Sequence, residues 1–319
     1  MEIEDDKKIE IPNYGEFIKQ IKEVLRLNFK TLSVRVFFIT WPIILLSMVL
    51  SIAKESKSFI DFLLLYKSYV FTFVMFCIVY VFVAKHLFFI EKLIWIDSYF
   101  HKLKISYEQS FKIAKKMFWK SLKIKFILFF RYYFIFVVPY LIAFYFSIKK
   151  IHLLYLKYDD FNMDIYYYSI VLFTIVIPLI LVIYIVYMRI KLRYFWFLFI
   201  DNYSRSDFSY KMIIEKMNEL NKAKKKETFK KALVMHLGID FFQNFIDLST
   251  YLFLGKAFSL FKSNNINWLE SAVTTYAKEV NQEIFHLSKS VANYVLYDFS
   301  KKYLNQKDLE SNNIYNLID

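Results

Sequence analysis

The sequence predicts an all-α, polytopic membrane helix bundle, and three observations carry that prediction. The 319 residues are 57% hydrophobic and 21% aromatic, against about 45–50% apolar usage in ordinary soluble domains. The apolar residues are gathered in long blocks instead of alternating with polar ones. Lysine and arginine are also segregated between the segments that connect those blocks, as membrane topology requires.

A crossing helix needs roughly 17–25 largely apolar residues. Four stretches meet that length: Val36–Ala53, Ser68–Ala84, Phe126–Ser147, which only Arg131 interrupts, and the uncharged Ile165–Met188. Pro42, Pro139 and Pro178 lie inside three of them, which membrane helices tolerate when a neighbour re-satisfies the freed carbonyl. Two later stretches are more polar. Ala232–Leu254 carries His236, Asp240 and Asp247, and Ile284–Phe299 carries Lys289. Each fits an interfacial helix, and each also fits a crossing shielded inside a bundle.

Orientation follows from cation counts. Residues 1–35 hold seven Lys+Arg, 54–67 three, 85–125 ten, 132–164 three and 189–231 twelve. Cytoplasmic segments are the cation-rich ones, so the expectation is a cytoplasmic N-terminus, long loops on the same side, and 54–67 and 148–164 outside. Four or six crossings both leave the C-terminus cytoplasmic. The expected organisation is a cytoplasmic segment over 1–35, a membrane domain over 36–299 with hairpins at about 36–96, 126–200 and 232–298, and a cytoplasmic tail over 300–319.

Those hairpins read as a threefold repeat. Each opens on an amphipathic stretch that starts with tyrosine: Tyr14–Lys30, Tyr107–Lys125 and Tyr210–Lys226. Helical spacing puts Phe17, Ile21, Val24, Leu25 and Phe29 on one face of the first, and Phe111, Ala114, Phe118 and Leu122 on one face of the second. Each hairpin closes on an apolar run that ends in aspartate, at Asp97, Asp201 and Asp298. Recurrence at a fixed order of features is the signature of a repeat architecture. It predicts six crossings, with amphipathic helices along the cytoplasmic surface.

Through IWIDSY at 94–99, LFIDNY at 198–203 and the basic amphipathic helix before each hairpin, the chain resembles the six-helix membrane domain associated with glycerophosphodiester phosphodiesterases and its uncharacterised stand-alone bacterial relatives. The resemblance implies a fold and no activity.

Composition excludes several chemistries. The three glycines, Gly15, Gly238 and Gly255, are scattered, so neither a Walker A loop nor a GxGxxG turn can form. HExxH and GxSxG are absent, and no catalytic motif, cofactor or metal site is expected. The single cysteine, Cys77, sits in an apolar run and cannot form a disulfide within the chain. No cleavable secretory signal is expected from the charged N-terminal segment, because such signals place an apolar core there.

Three groups of candidate residues remain. His236, Asp240, Gln243, Asn244 and Asp247 recur at helical spacing on one stripe, which offers either a wetted interfacial face or a polar path at membrane depth. Asp97, Asp201 and Asp298 are helix-end carboxylates, read as turn or capping residues with convergence as the alternative. The lysines include Lys112, Lys115, Lys116, Lys120, Lys123 and Lys125, then Lys222, Lys224, Lys225, Lys226, Lys230 and Lys231. They suit headgroups of anionic lipid, at on the order of 1 kcal/mol each, and Arg131 can snorkel to the same headgroups. The net charge of +14 is thereby assigned to membrane lipid. No nucleic-acid partner is expected, because no RNA-recognition pattern accompanies the charge. Together these features predict a multi-pass protein of the cytoplasmic membrane, acting as a non-enzymatic scaffold or accessory subunit. The alternative is a small transporter or channel using the stripe on 232–254.

Overall fold

A computed structural model describes residues 10–134, 176–203, 209–260 and 267–315, with a few isolated positions between 135 and 175. The end of the third predicted crossing, the start of the fourth and the segment 148–164 between them lie outside the described residues. Among the described residues every regular element is helical. These are α1 (Tyr14–Glu55), α2 (Lys57–Leu65), α3 (Lys67–Phe100), α4 (Tyr107–Phe129) followed by a π-helical turn (Phe130–Phe134), α5 (Ile177–Lys191), α6 (Phe195–Asn202), α7 (Tyr210–Leu220), α8 (Lys225–Leu260) and α9 (Asn267–Tyr315). They fall into two compact units, one of residues 1–118 and 196–319, the other of residues 119–195.

Helices α1, α4 and α7 all begin at the tyrosine that the sequence singled out, and in each a polar residue stands just before it. The side chain of Asn13 accepts from Glu16 N at 2.9 Å, and that of Ser209 accepts from Met212 N at 3.2 Å. Ser106 Oγ accepts from Gln109 N, while Gln109 Oε1 accepts from Ser106 N, the reciprocal pair of a capping box. Burial keeps the same phase. Phe17, Ser110 and Ile213, each three residues past its tyrosine, are fully buried, and Val24, Met117 and Leu220 are buried further along.

The first amphipathic stretch differs from the expected separate surface helix, whereas the third forms a helix of its own, α7. Tyr14–Lys30 and the apolar Val36–Ala53 form one continuous α1, because no residue between them breaks the helix and Leu32 and Val36 extend its buried stripe. Phe29 leaves the predicted face and is 51% exposed. Twelve residues at about 100° each turn it ~120° away from Phe17. In the same way, α9 runs through Phe299 into the segment expected as a separate tail.

Within the first unit the interhelix hydrogen bonds fix direction. Arg35 meets Glu91 and Gln20 meets Tyr99, so α1 and α3 are antiparallel. Lys85 meets Glu279, and Asp97 meets Tyr294, so α3 and α9 run parallel. His236 meets Asn293, and Asp247 meets Asn281, so α8 and α9 form an antiparallel hairpin. The core draws on α1, α3, α6 and α9: Phe17, Val24 and Leu32, then Ile90, Ile94 and Ile96, then Phe197 and Phe199, then Leu287, Val291 and Leu296. Helices α1 and α3 are each long and apolar enough to cross a membrane. Their outer halves expose large apolar side chains, among them Phe38, Leu50, Tyr69, Phe71 and Phe76.

Pro42 sits inside α1 and has no N–H to give the carbonyl of Phe38 one turn earlier. The hydroxyl of Tyr80 on α3 donates to that carbonyl at 2.9 Å. A neighbouring helix thus satisfies the freed acceptor.

In the second unit Tyr184 of α5 donates to the carbonyl of Tyr132 at 2.8 Å, and Arg193 is buried over the ring of Tyr194.

Candidate functional site

The stripe on α8 faces α9. His236 lies 3.0 Å from Asn293 Oδ1, Asp240 pairs with Lys289, and Asp247 accepts from Asn281 at 3.3 Å. Gln243 is half-buried and Asn244 exposed. The polar side chains at 236, 240 and 247 therefore act in helix pairing. The opposite face of α8 presents Phe241, Phe245, Leu248, Leu252 and Phe253 outward.

Sequence reasoning did not find the ionic seam beside this stripe. Glu91 is 1% exposed and accepts from Arg35 Nη2 at 2.9 Å. The Arg35 guanidinium lies over the rings of Tyr107 and Phe111, at 4.2 and 4.9 Å. Lys92, which is also buried, pairs with Glu283, and Lys85 pairs with Glu279 at 2.8 Å. Three ion pairs thus tie α3 to α1 on one side and to α9 on the other. The signal was present in FFIEKLIWI, where Glu91 and Lys92 interrupt an apolar run. Their partners are far away in the chain.

The helix-end carboxylates do gather. Asp97 accepts from Tyr294 at 3.1 Å and lies 3.2 Å from His101. Asp201 accepts from Tyr297 and pairs with Lys301 at 3.1 Å. Asp298 pairs with Lys302 at 2.6 Å, and all three carboxylates are close enough to act on the Tyr294 phenol. Both phenols act as donors in these bonds. The rings of Phe100, Phe197, Tyr294 and Tyr297 pack against one another around the group. Chemically, this is a hydrogen-bonded junction that ties the ends of α3 and α6 to α9.

The lysines separate by role. On α4, Lys112, Lys115, Lys116 and Lys123 are exposed and Lys120 is half-buried. Trp119 is 76% exposed among them, while Ala114, Met117, Ser121 and Ile124 turn inward. Lys225 and Lys226 are exposed at the start of α8. Lys224 is a backbone hinge: its φ is 38°, its carbonyl accepts from Glu227 N and Thr228 N, and its ammonium lies over Tyr303. Arg131 is exposed in the π-helical turn, 5.6 Å from the Tyr132 ring centre. No family model, curated protein or solved structure matches the chain.

Proposed function

We propose that the protein is a non-enzymatic scaffold or accessory subunit of the cytoplasmic membrane, with both termini cytoplasmic and basic helices held against anionic lipid. The architecture is the polytopic bundle that the resemblance to the phosphodiesterase-associated six-helix domain implies, built from three hairpins. The observation that carries this reading is the surface of α4. One face is buried and the other sets Lys112, Lys115, Lys116 and Lys123 around an exposed Trp119. An indole suits the headgroup boundary, and cations beside it gain from a negative leaflet within a Debye length. The pairing of His236, Asp240 and Asp247 with α9 supports scaffolding over a polar path. The six-crossing count further requires α8 and α9 to enter the bilayer.

The test uses the full chain in neutral detergent. Anionic phosphatidylglycerol should raise the melting temperature by several degrees more than phosphatidylcholine does. Changing Lys115, Lys116, Lys120 and Lys123 together to Gln, or raising the salt to about 0.5 M, should remove most of that difference. Equal stabilisation by the two lipids, in the unmodified chain at low salt, counts against the proposal.

A further inference from the structure

Helix α2 joins the outer ends of α1 and α3, and none of its residues is buried. It is nevertheless a capped helix with two unlike sides. Ser56, in an extended conformation, ends α1, and its hydroxyl accepts from Phe59 N at 3.3 Å to start α2. Helical spacing puts Lys57, Ser58 and Asp61 on one side and Phe59, Phe62 and Leu63 on the other. The last turn, Leu63–Leu65, is apolar all round, and Leu64 and Leu65 are exposed. From Phe59 the rings continue in one row through Phe62 and Tyr66 to Tyr69 on α3, with successive centres 6.3, 4.9 and 6.5 Å apart.

The two arms fix where this surface lies. Tyr80 of α3 reaches the Phe38 carbonyl of α1, which sets Arg35 and Lys85 at about the same level of the antiparallel pair. Beyond that level α1 carries no charge from Val36 to Ala53, and α3 none from Ser68 to Ala84. At 1.5 Å per residue each stretch is on the order of 26 Å long, just short of a hydrocarbon core of ~30 Å. A bilayer that takes up both bare arms from the ionic seam outward therefore ends at α2. Lys57 and Lys67, exposed at the two ends of α2, can extend to the headgroups there. Aromatic rings gather at that depth, and a helix with a polar edge and an apolar side lies along such a boundary.

We infer that α2 is an interfacial helix seated at the headgroup boundary of the leaflet opposite the ionic seam, with the row Phe59, Phe62, Tyr66 and Tyr69 against acyl chains and the Lys57–Asp61 edge toward water. This rests on the membrane reading of α1 and α3, and it adds a second lipid contact to that of α4. It turns the connection between the first two crossings from a loop in water into an anchor. Lipid contact also accounts for exposed leucines and rings that no other part of the chain covers, which is more than scattered surface apolarity.

The test is collision-based spin labelling of the full chain in liposomes, on a Cys77→Ser background. Labels at Phe62→Cys, in the aromatic row, and Ser58→Cys, on the polar edge, are compared with one at Phe76→Cys in the bare arm of α3. Tyr66→Cys replaces Phe62→Cys if that variant does not fold. Oxygen concentrates in lipid and a nickel chelate in water, so the ratio of their collisions should fall in the order 76, 62, 58, with 62 several-fold above 58. A ratio at 62 as low as at 58, with a high one at 76, makes α2 a loop in water; it overturns the inference and leaves the membrane reading standing. Ratios at 58 and 62 both as high as at 76 put α2 inside the hydrocarbon and overturn the inference too. Shielding from both reagents at 62 means that protein, such as a second copy of the chain, covers the row, with the same consequence. A low ratio at 76 removes the membrane reading and the inference together.

Discussion

The two halves of α3 are built from the same kinds of residue and live in opposite environments. From Tyr69 to Phe82 the aromatic and branched side chains point outward, with Tyr69 77% and Phe71 67% exposed, whereas Ile90 and Ile96 are at 1% and 0%. The inner half is held as a water-soluble core is held, by removing apolar area from contact with solvent. The outer half gains nothing from that term if its surroundings are lipid, so close packing and polar contacts between helices must do the holding. The ionic seam lies at the junction, where Lys85, Glu91 and Lys92 reach Glu279, Arg35 and Glu283.

Breaking the seam should have the largest effect. Arg35→Leu leaves the buried Glu91 carboxylate without its cation, and removing one partner of a buried pair destabilises by about 3–5 kcal/mol. Denaturant titration in mild detergent measures this. The double change Arg35→Leu with Glu91→Leu should recover most of the loss, and failure to recover would mean that Arg35 acts mainly through the rings of Tyr107 and Phe111. Next comes a matched pair within α3. Ile96→Ala should destabilise by about 2–5 kcal/mol, as for a filled core position, while Ile78→Ala, at a site 54% exposed, should stay within about 0.5 kcal/mol in the same titration. Equal losses would erase the distinction between the halves.

The smallest effect has the opposite sign. Helix α3 ends in a Schellman motif: Leu103 N donates to Ser98 O at 2.8 Å, and Lys102 N donates to Tyr99 O. The residue between is Lys102 with φ 55°, a left-handed conformation that costs a non-glycine residue roughly 1–2 kcal/mol. Lys102→Gly should therefore raise stability by up to about 1 kcal/mol, visible as a small rise in the denaturation midpoint. A fall would show that the lysine side chain contributes more than the backbone strain removes.

These regions also differ in how far the sequence discloses them. The starts of α1, α4 and α7 were legible because a tyrosine and an amphipathic face are local features; the capping side chains of Asn13, Ser106 and Ser209 just before them were not singled out, although they are equally local. The helical class was legible from the long apolar blocks. The inward turn of His236, Asp240 and Asp247 was legible only as a shared stripe. Periodicity says which residues share a face and not what that face meets. Arg35 and Glu91 were out of reach for the same reason, since their pairing depends on the antiparallel register of α1 and α3. The π-helical turn at Phe130–Phe134 has no local marker comparable to a proline, and Arg131 inside it gave no warning of it.

The bond from Tyr80 to the Phe38 carbonyl has a mechanical consequence. Proline gives a helix a natural point of flexure, and here the oxygen laid bare by Pro42 is gripped by the adjacent helix. Bending α1 at that point costs the Tyr80 bond, so any flexure at Pro42 is coupled to α3.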